Sequence, residues 1–459
     1  MKLEWSYPSR LLTLATAYKA KLLCSGVFVS RRDPHSVLTT DLAVDTLAPL
    51  RAFRATVDEK QQIVEASFLG LARRKALYRP GLGSTLMIGS SNSSSSLEVL
   101  RQQGQDFAAW SQQNPRRHEA LPSAHAPPSE IDDAQLNQAV NEAFIEHDSG
   151  RLKRTRAVII VHKGRIVAER YAEGFSADMP MLGWSMAKSV INALIGILVR
   201  QGKLSLEADH LLAEWCNPDD PRRHITLDQL LRMSSGLRFS EKYSSPLSDA
   251  TTMLFQREDK ARYAAALPLE TLPDTTFSYA SGTTVLLCRI MREALGGSLT
   301  EYFSFPQRTL FNPLGMASAI LEPDAVGTFT GSSFMYATAR DWAKLGLLYL
   351  QDGCWQGERV LPSGWVDYST GLSKTTPYYG AHFWRGVPLS FTKSFTEQKQ
   401  EDRKSAWPPG AYLASGYQGQ FMTVVPSHDL VIVRLGLSQR RYSWEHEQFV
   451  STIVSAMPT

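Results

Sequence analysis

From Val190 to Val199 the chain is apolar at nearly every position. Val190, Leu194, Ile197 and Leu198 make one helical stripe, and Ile191, Ile195 and Val199 make a second. A segment apolar on most sides at the helical period predicts a buried helix, and Gly202 supplies its C-cap. Elsewhere the stripe is one-sided. IDDAQLNQAVNEAFIEH repeats Leu136, Val140, Ala143 and Phe144 on one face, and SWEHEQFVSTIVSAM repeats Phe449, Val450, Ile453 and Val454. RAVIIVHKGRIVAERYA predicts a hairpin that turns at His162-Lys163-Gly164, and GQFMTVVP with LVIVRLGL predicts another around Ser427-His428-Asp429. IVEASFLGLARRKALYRPGLGSTLMIG reads as two or three short strands, and residues 97–111 as a helix. Residues 203–350 read mostly as helices and loops, ITLDQLLRMSSGL and RDWAKLGLLYLQDG among them.

Strands early, helices in the middle, then strands and a helix predict an α+β fold. One antiparallel sheet is assembled from both ends of the chain, with a helical insertion between its halves. A cleft between such lobes is a natural place for chemistry. SSNSSSS (90–96) reads as a flexible loop by composition, and NPRRHEALPSAHAPPSE (114–130) as a linker. The expected division is an N-terminal extension and linker, 1–130, partly docked on a body of 131–459. Within that body, about 131–200 and 375–459 form the α/β part and about 201–374 the mainly helical part. The N-terminal SRLLTLATAYKAKLLCSGVFVS carries Lys19 and Lys21 in its middle, which interrupts it as a membrane span. It is expected to dock on the body as an amphipathic helix, with weak membrane-surface attachment as the alternative. An anchor upstream of Met1 would imply a periplasmic or membrane-associated protein, and its absence a cytoplasmic one.

Composition narrows the class. The 459 residues are 43% hydrophobic and 20% charged, which is globular. The 49 basic residues against 45 acidic ones leave a net charge of +4. No long Lys/Arg block accompanies that excess, so nucleic acid is not an expected partner. Cys24, Cys216, Cys288 and Cys354 form no CxxC pair, and the ten histidines make no HExxH. Neither a metal nor a cofactor is expected. Monomer and homodimer stay open.

The chemistry starts at GWSMAKSVINALIGILVR (183–200), where Ser185 and Lys188 share one face at the mouth of the apolar helix. Burial and the positive helix end both disfavour the ammonium form. A neutral Lys188 there would accept the Ser185 proton and create a nucleophile. The competing reading is a lysine that snorkels outward along its stem. A second SxxK, Ser390 to Lys393, leads into a charged stretch and reads as surface. FSYASGTTVLLCRIM offers Tyr279 as a proton relay just before an apolar helical run. In YLASGYQGQFMTVVP, a turn at Ser415-Gly416 lets a backbone approach closely.

SxxK, then YxS, then a Gly-containing edge strand, in that order, resembles the serine hydrolases of the class C β-lactamase type. The likeness is nearest to family VIII carboxylesterases and 6-aminohexanoate-dimer hydrolases, and covers roughly residues 131–459. It implies a β-lactamase/transpeptidase-like fold: a central antiparallel sheet flanked by helices, an all-helical lobe, and an active site in the cleft between. It implies Ser185 as nucleophile, Lys188 as base, Tyr279 as proton shuttle and Ser281 as the lysine's hydrogen-bond partner. The backbone N–H groups of Ser185 and Tyr417 would form the oxyanion hole. Trp184 precedes the nucleophile, Tyr243, Asp249 and Trp384 fall in segments resembling pocket-lining loops, and Ser415 on the edge strand is a further substrate-binding candidate; Asp249 would suit an amine end of a substrate. Plain packing or capping is the other role for these residues. Lactamases of this type carry Lys-Thr-Gly on the edge strand; here Ala414-Ser415-Gly416 stands there. Without that lysine, a small ester or linear amide is the expected substrate, with β-lactams and DD-peptides as the alternative. Gly183 to Ala187 is one residue short of a GxSxG elbow and follows no buried strand, which disfavours an α/β-hydrolase. A catalytically silent binding protein on the same scaffold is the remaining alternative.

Overall fold

The computed structural model describes residues 7–123, 130–243, 245–387, 407–440 and 443–458. The chain forms two compact units, neither continuous in sequence. The first comprises Met1–Arg116, Gln201–Gln307 and Ile320–Tyr336; the second comprises Arg117–Arg200, Arg308–Ala319 and Ala337–Thr459. The first 116 residues therefore cluster with the helical stretch 201–307, whereas the expected division sets them apart as an extension, and residues 337–374 cluster with the late strands.

In the first unit, strands β1 (Arg54–Asp58), β2 (Ile63–Phe68), β3 (Leu71–Arg79) and β4 (Gly83–Met87) form an antiparallel sheet in sequence order. Leu69 and Gly70, at φ 48° and 78°, make the two-residue turn between β2 and β3. The helix Tyr7–Phe28 packs on β2, β3 and β4. By length and composition alone, at 22 residues and a mean hydropathy of 1.2, it is long and apolar enough to cross a membrane, and 56% of its most apolar stretch is buried. Both lysines are buried and engaged within the unit. Lys19 Nζ donates to the carbonyls of Leu50, at 2.9 Å, and of Phe53. Lys21 pairs with Glu322, which also accepts from Ser25 Oγ at 2.8 Å and from the Ser84 N–H at 2.6 Å. A buried ammonium and a buried carboxylate satisfy each other here.

The serine run at 90–96 is ordered, not a free loop. Gly89–Asn92 is a 3₁₀ turn, and Ser93 caps the helix Ser94–Gln113 through its bond from Ser96 N. Glu258 holds the turn by accepting from Ser90 Oγ and the Ser91 N–H. Serine is a good N-cap for the reason that makes it common in loops: its hydroxyl competes for nearby backbone groups. Part of the 114–130 linker is likewise tied down, its Glu119 N–H donating to Gly315 O at 3.4 Å within the second unit. Residues 124–129 lie outside the described residues, as does the second SxxK copy.

The second unit is built on a five-stranded antiparallel sheet. Its strands are β5 (Thr155–His162), β6 (Arg165–Tyr171), β7 (Tyr412–Gly416), β8 (Gln420–Val425) and β9 (Leu430–Gly436), in the order β7-β8-β9-β5-β6. The sheet is thus assembled from two distant stretches, as the pattern predicts. Lys163 and Gly164, at φ 48° and 75°, make the β5–β6 turn. One face carries Val158, Ile160, Leu413, Phe421 and Ile432 into a core with Leu136, Val140, Phe449, Val450 and Ile453 of the two amphipathic helices. The other face packs on the helix Ala339–Leu350, where a Cβ on Gly346 would lie 2.6 Å from Val431. Cover on both faces is why AVIIV and LVIVRL read as unbroken apolar runs.

Candidate active site

The helix that carries Lys188, Ala187–Arg200, follows a 3₁₀ turn at Trp184–Met186 that carries Ser185. Between Gly183 and Leu198 every residue except Ser185 is buried. Lys188 is 1% exposed, and its Nζ donates to Ser185 Oγ at 3.1 Å. With a neutral amine, the same contact lets the hydroxyl donate instead. The helix is held rigidly. Asn192, fully buried, accepts from Tyr349 OH (2.5 Å), Trp365 Nε1 (2.9 Å) and Ser369 Oγ (3.1 Å), and donates to Ala381 O. Ser189 Oγ donates to His382 O at 2.8 Å. Such a fully satisfied polar cluster in an apolar layer fixes one packing arrangement.

Strand β7 runs beside the Trp184–Met186 turn. A Cβ on Gly416 would sit 2.1 Å from Gly183 O, so only glycine allows this approach. Gly183 is itself confined: its Cβ would meet Trp342 at 2.2 Å. Trp184, at φ 49°, is one of the non-glycine residues in the left-handed region, and its Nε1 donates to Gln418 Oε1 at 3.1 Å. Its ring stands edge-on to Tyr417, centroids 5.5 Å apart. Ser185, Lys188, Trp184, Gly416 and Tyr417 are thus brought together within one unit. Ala414 and Ser415 are both buried on β7, opposite Met422 and Phe421. Trp384 exchanges backbone hydrogen bonds with Leu413 at 2.9 Å each way, and its ring stands on Tyr379.

The other sequence-selected residues lie in the first unit. Tyr279 is half-buried, two residues ahead of the helix Ser281–Ala294. That helix has no side-chain cap from Ala280; Glu241 fills the role. One carboxylate oxygen accepts from the Ser281 N–H at 2.8 Å, and the other accepts from Ser281 Oγ and Tyr243 OH at 2.6 Å each. Burial, and then the Glu241 charge, push the Tyr243 phenol well above its ordinary range. Sequence reading missed Glu241, whose only local hint is an acid two residues before Tyr243. Asp249 opens the helix Asp249–Gln256 and accepts from the Ser240 N–H (2.8 Å) and Tyr263 OH (2.6 Å), so both oxygens have partners in their own unit.

Among the described residues no group of three or more His, Cys, Asp or Glu side chains could hold a metal ion. A cavity of about 320 Å³ in the second unit, lined by Leu121, Gly164, Leu347 and Trp355 among others, contains none of the residues above. It opens by the β5–β6 turn, and the sheet register puts His162, beside that turn, level with Leu430 and Val425, at the far end from the Gly416–Gln420 pair.

Comparison with known proteins accords with this arrangement. The chain is 25% identical over 297 residues to the 6-aminohexanoate-dimer hydrolase of Paenarthrobacter ureafaciens, covering 61% of this chain and 72% of that one. Its fold is similar to that of a putative 6-aminohexanoate-dimer hydrolase from Bacillus anthracis (TM-score 0.55, 23% identity, 74% of this chain and 87% of the other). It is also similar to a family VIII carboxylesterase (TM-score 0.51, 14% identity, 72% and 98%). The fold is therefore β-lactamase/transpeptidase-like. The Beta-lactamase family matches residues 143–448, taking in the helices Ala187–Arg200 and Ser281–Ala294 and strands β5 to β9, and the chain belongs to this family of hydrolases.

Proposed function

We propose that the protein is a serine hydrolase that cleaves small carboxylic esters or linear amides through an acyl-enzyme on Ser185. The observation that carries this reading is the buried Lys188 amine 3.1 Å from the Ser185 hydroxyl, at the start of an apolar helix. In the proposed cycle Lys188 takes the Ser185 proton as Oγ attacks the carbonyl carbon. The N–H groups of Ser185 and Tyr417 stabilise the resulting oxyanion. Tyr279 delivers the proton to the leaving alcohol or amine, and later takes one from the water that releases the acid, while Lys188 returns its proton to Ser185 Oγ. Ser281 commits its proton to Glu241, which leaves its oxygen as an acceptor for an ammonium. The relatives named for 6-aminohexanoate dimer and carboxylic esters favour acyclic substrates. So does the edge strand, where Ala414 is 1% exposed and no lysine stands to hold a β-lactam carboxylate.

The test is pre-steady-state hydrolysis of p-nitrophenyl acetate, with nitrocefin and the linear 6-aminohexanoate dimer in parallel. The expected result is a burst of one p-nitrophenol per enzyme, absent in Ser185→Ala, and turnover of the ester or linear amide well above nitrocefin. Nitrocefin as the best substrate would restore the lactamase reading. No turnover of any of the three would leave the binding-protein reading.

A further inference from the structure

The nucleophile and the proposed oxyanion donor each have a neighbour in backbone strain, and those neighbours are bonded to each other. Trp184, next to Ser185, has φ 49°; Gln418, next to Tyr417, has φ 63°. Side chains with a Cβ rarely adopt this conformation unless their surroundings impose it, and where it persists it concentrates at functional sites. Both residues are 4% exposed, and the Trp184 indole donates to the Gln418 amide oxygen at 3.1 Å. The turn Tyr417–Gly419 is also gripped from the sheet side. Gln420 Nε2 donates to the carbonyls of Tyr417 (3.1 Å), Gln418 (3.2 Å) and Gly436 (2.7 Å), and its Oε1 accepts from the Gly436 N–H. Arg434, fully buried, donates to Gly419 O at 2.6 Å. The sheet thus fixes the turn's carbonyls, while the Gln418 side chain reaches the other way, to the residue preceding the nucleophile.

We propose that Gln418 is a positioning residue of this site, setting the spacing between the Ser185 and Tyr417 N–H groups through its bond to Trp184. This rests on the serine-hydrolase reading above. An oxyanion hole works only when both donors lie within hydrogen-bond reach of one oxygen, and that spacing exists only in the transition state's favour. Loosening the tie therefore lowers kcat and leaves ground-state binding nearly unchanged.

The experiment is a double-mutant cycle of Trp184→Phe and Gln418→Met, both near-isosteric, with Gln418→Gly as a third variant that relieves the φ of 63° while deleting the tie. The readouts are kcat and KM on a p-nitrophenyl ester, inhibition by a trifluoromethyl ketone that mimics the tetrahedral adduct, and melting temperature. Each single variant is expected to lose roughly 10- to 100-fold in kcat, less than deleting an oxyanion donor outright. KM should stay within about twofold and ketone affinity should fall in parallel with kcat. The double variant should lose no more than the worse single one, because both remove the same bond. Multiplying losses, or unchanged kcat in Gln418→Met and Gln418→Gly, would overturn the tie. If the wild type shows no ester burst, the hydrolase reading itself fails and this inference with it; a wild-type burst with an additive cycle removes this inference alone.

Discussion

Among the lysines buried in helices of this protein, Lys21 and Lys188 are held in different ways. Lys21, on the helix Tyr7–Phe28, is 2% exposed; it is paired with Glu322, donates to Ser25 Oγ at 3.0 Å and lies over the Phe334 ring at 4.3 Å. Lys188, on the helix Ala187–Arg200, is 1% exposed and meets the hydroxyl of Ser185. A carboxylate compensates a buried ammonium, so such a lysine is a structural pin. A hydroxyl both donates and accepts, which is what the proposed mechanism asks of the group beside a base. Equal burial thus serves fold in one unit and, in the proposed mechanism, chemistry in the other. The partner separates them, and neither the residue type nor its depth does.

The sharpest way to break this contrast is to delete each amine's function. Lys188→Ala is expected to lower kcat on an ester roughly 10³-fold or more, the scale of a lost base beside its nucleophile. The melting temperature should change little, since the substitution removes a buried polar group from an otherwise apolar layer. Steady-state kinetics beside a thermal melt decides this, and near-normal turnover would place Lys188 with Lys21 as a structural residue. Glu322→Ala should do the opposite. It takes the carboxylate from the Lys21 ammonium and the shared acceptor from the Ser25 hydroxyl and the Ser84 N–H, and should cost about 3–5 kcal/mol in denaturant unfolding. Activity per folded molecule should be kept; a loss of kcat matching that of Lys188→Ala would erase the distinction.

Gly416→Ala tests how tightly β7 is set against the turn that carries Ser185. Its new methyl would need about an ångström of movement away from Gly183 O, and a displacement on that scale should cost on the order of 10²-fold in kcat. The smallest effect concerns His446, 1% exposed and stacked on Phe421. Burial first, and the Arg434 charge second, hold its imidazole well below the ordinary value. The unfolded chain therefore takes up this proton first. The contribution to stability is present above about pH 6.5 and is lost as pH falls below it, with a slope near ~1.4 kcal/mol per pH unit. His162, also lowered by burial, adds to the slope, so the measurement is the difference between wild type and His446→Gln. Parallel pH profiles for the two would show that His446 does not carry it.

What the sequence makes legible follows the same division between local and distant causes. The helix Ala187–Arg200 is readable because its apolar stripes and the placement of Ser185 and Lys188 lie within one short stretch of chain. The β5–β6 hairpin is readable because Lys163-Gly164 must turn. The role of the serine run at 90–96 is not readable, since the acid that orders it, Glu258, lies 168 residues from Ser90. Glu241 escapes notice for the same reason, with Ser281 40 positions away. The N-terminal helix looks like an add-on until Glu322, 301 residues from Lys21, shows it to be part of the first unit's core. Side-chain bonds of this length leave no periodic trace.

In the proposed mechanism the amine of Lys188 makes the Ser185 hydroxyl a nucleophile. The direct measurement is labelling with a fluorophosphonate, followed by peptide mass mapping, on wild type and Lys188→Ala. A single adduct on Ser185 in the wild type, slowed by orders of magnitude in the variant, is the predicted result. An adduct on any other residue, or equal labelling rates in the two proteins, would contradict it.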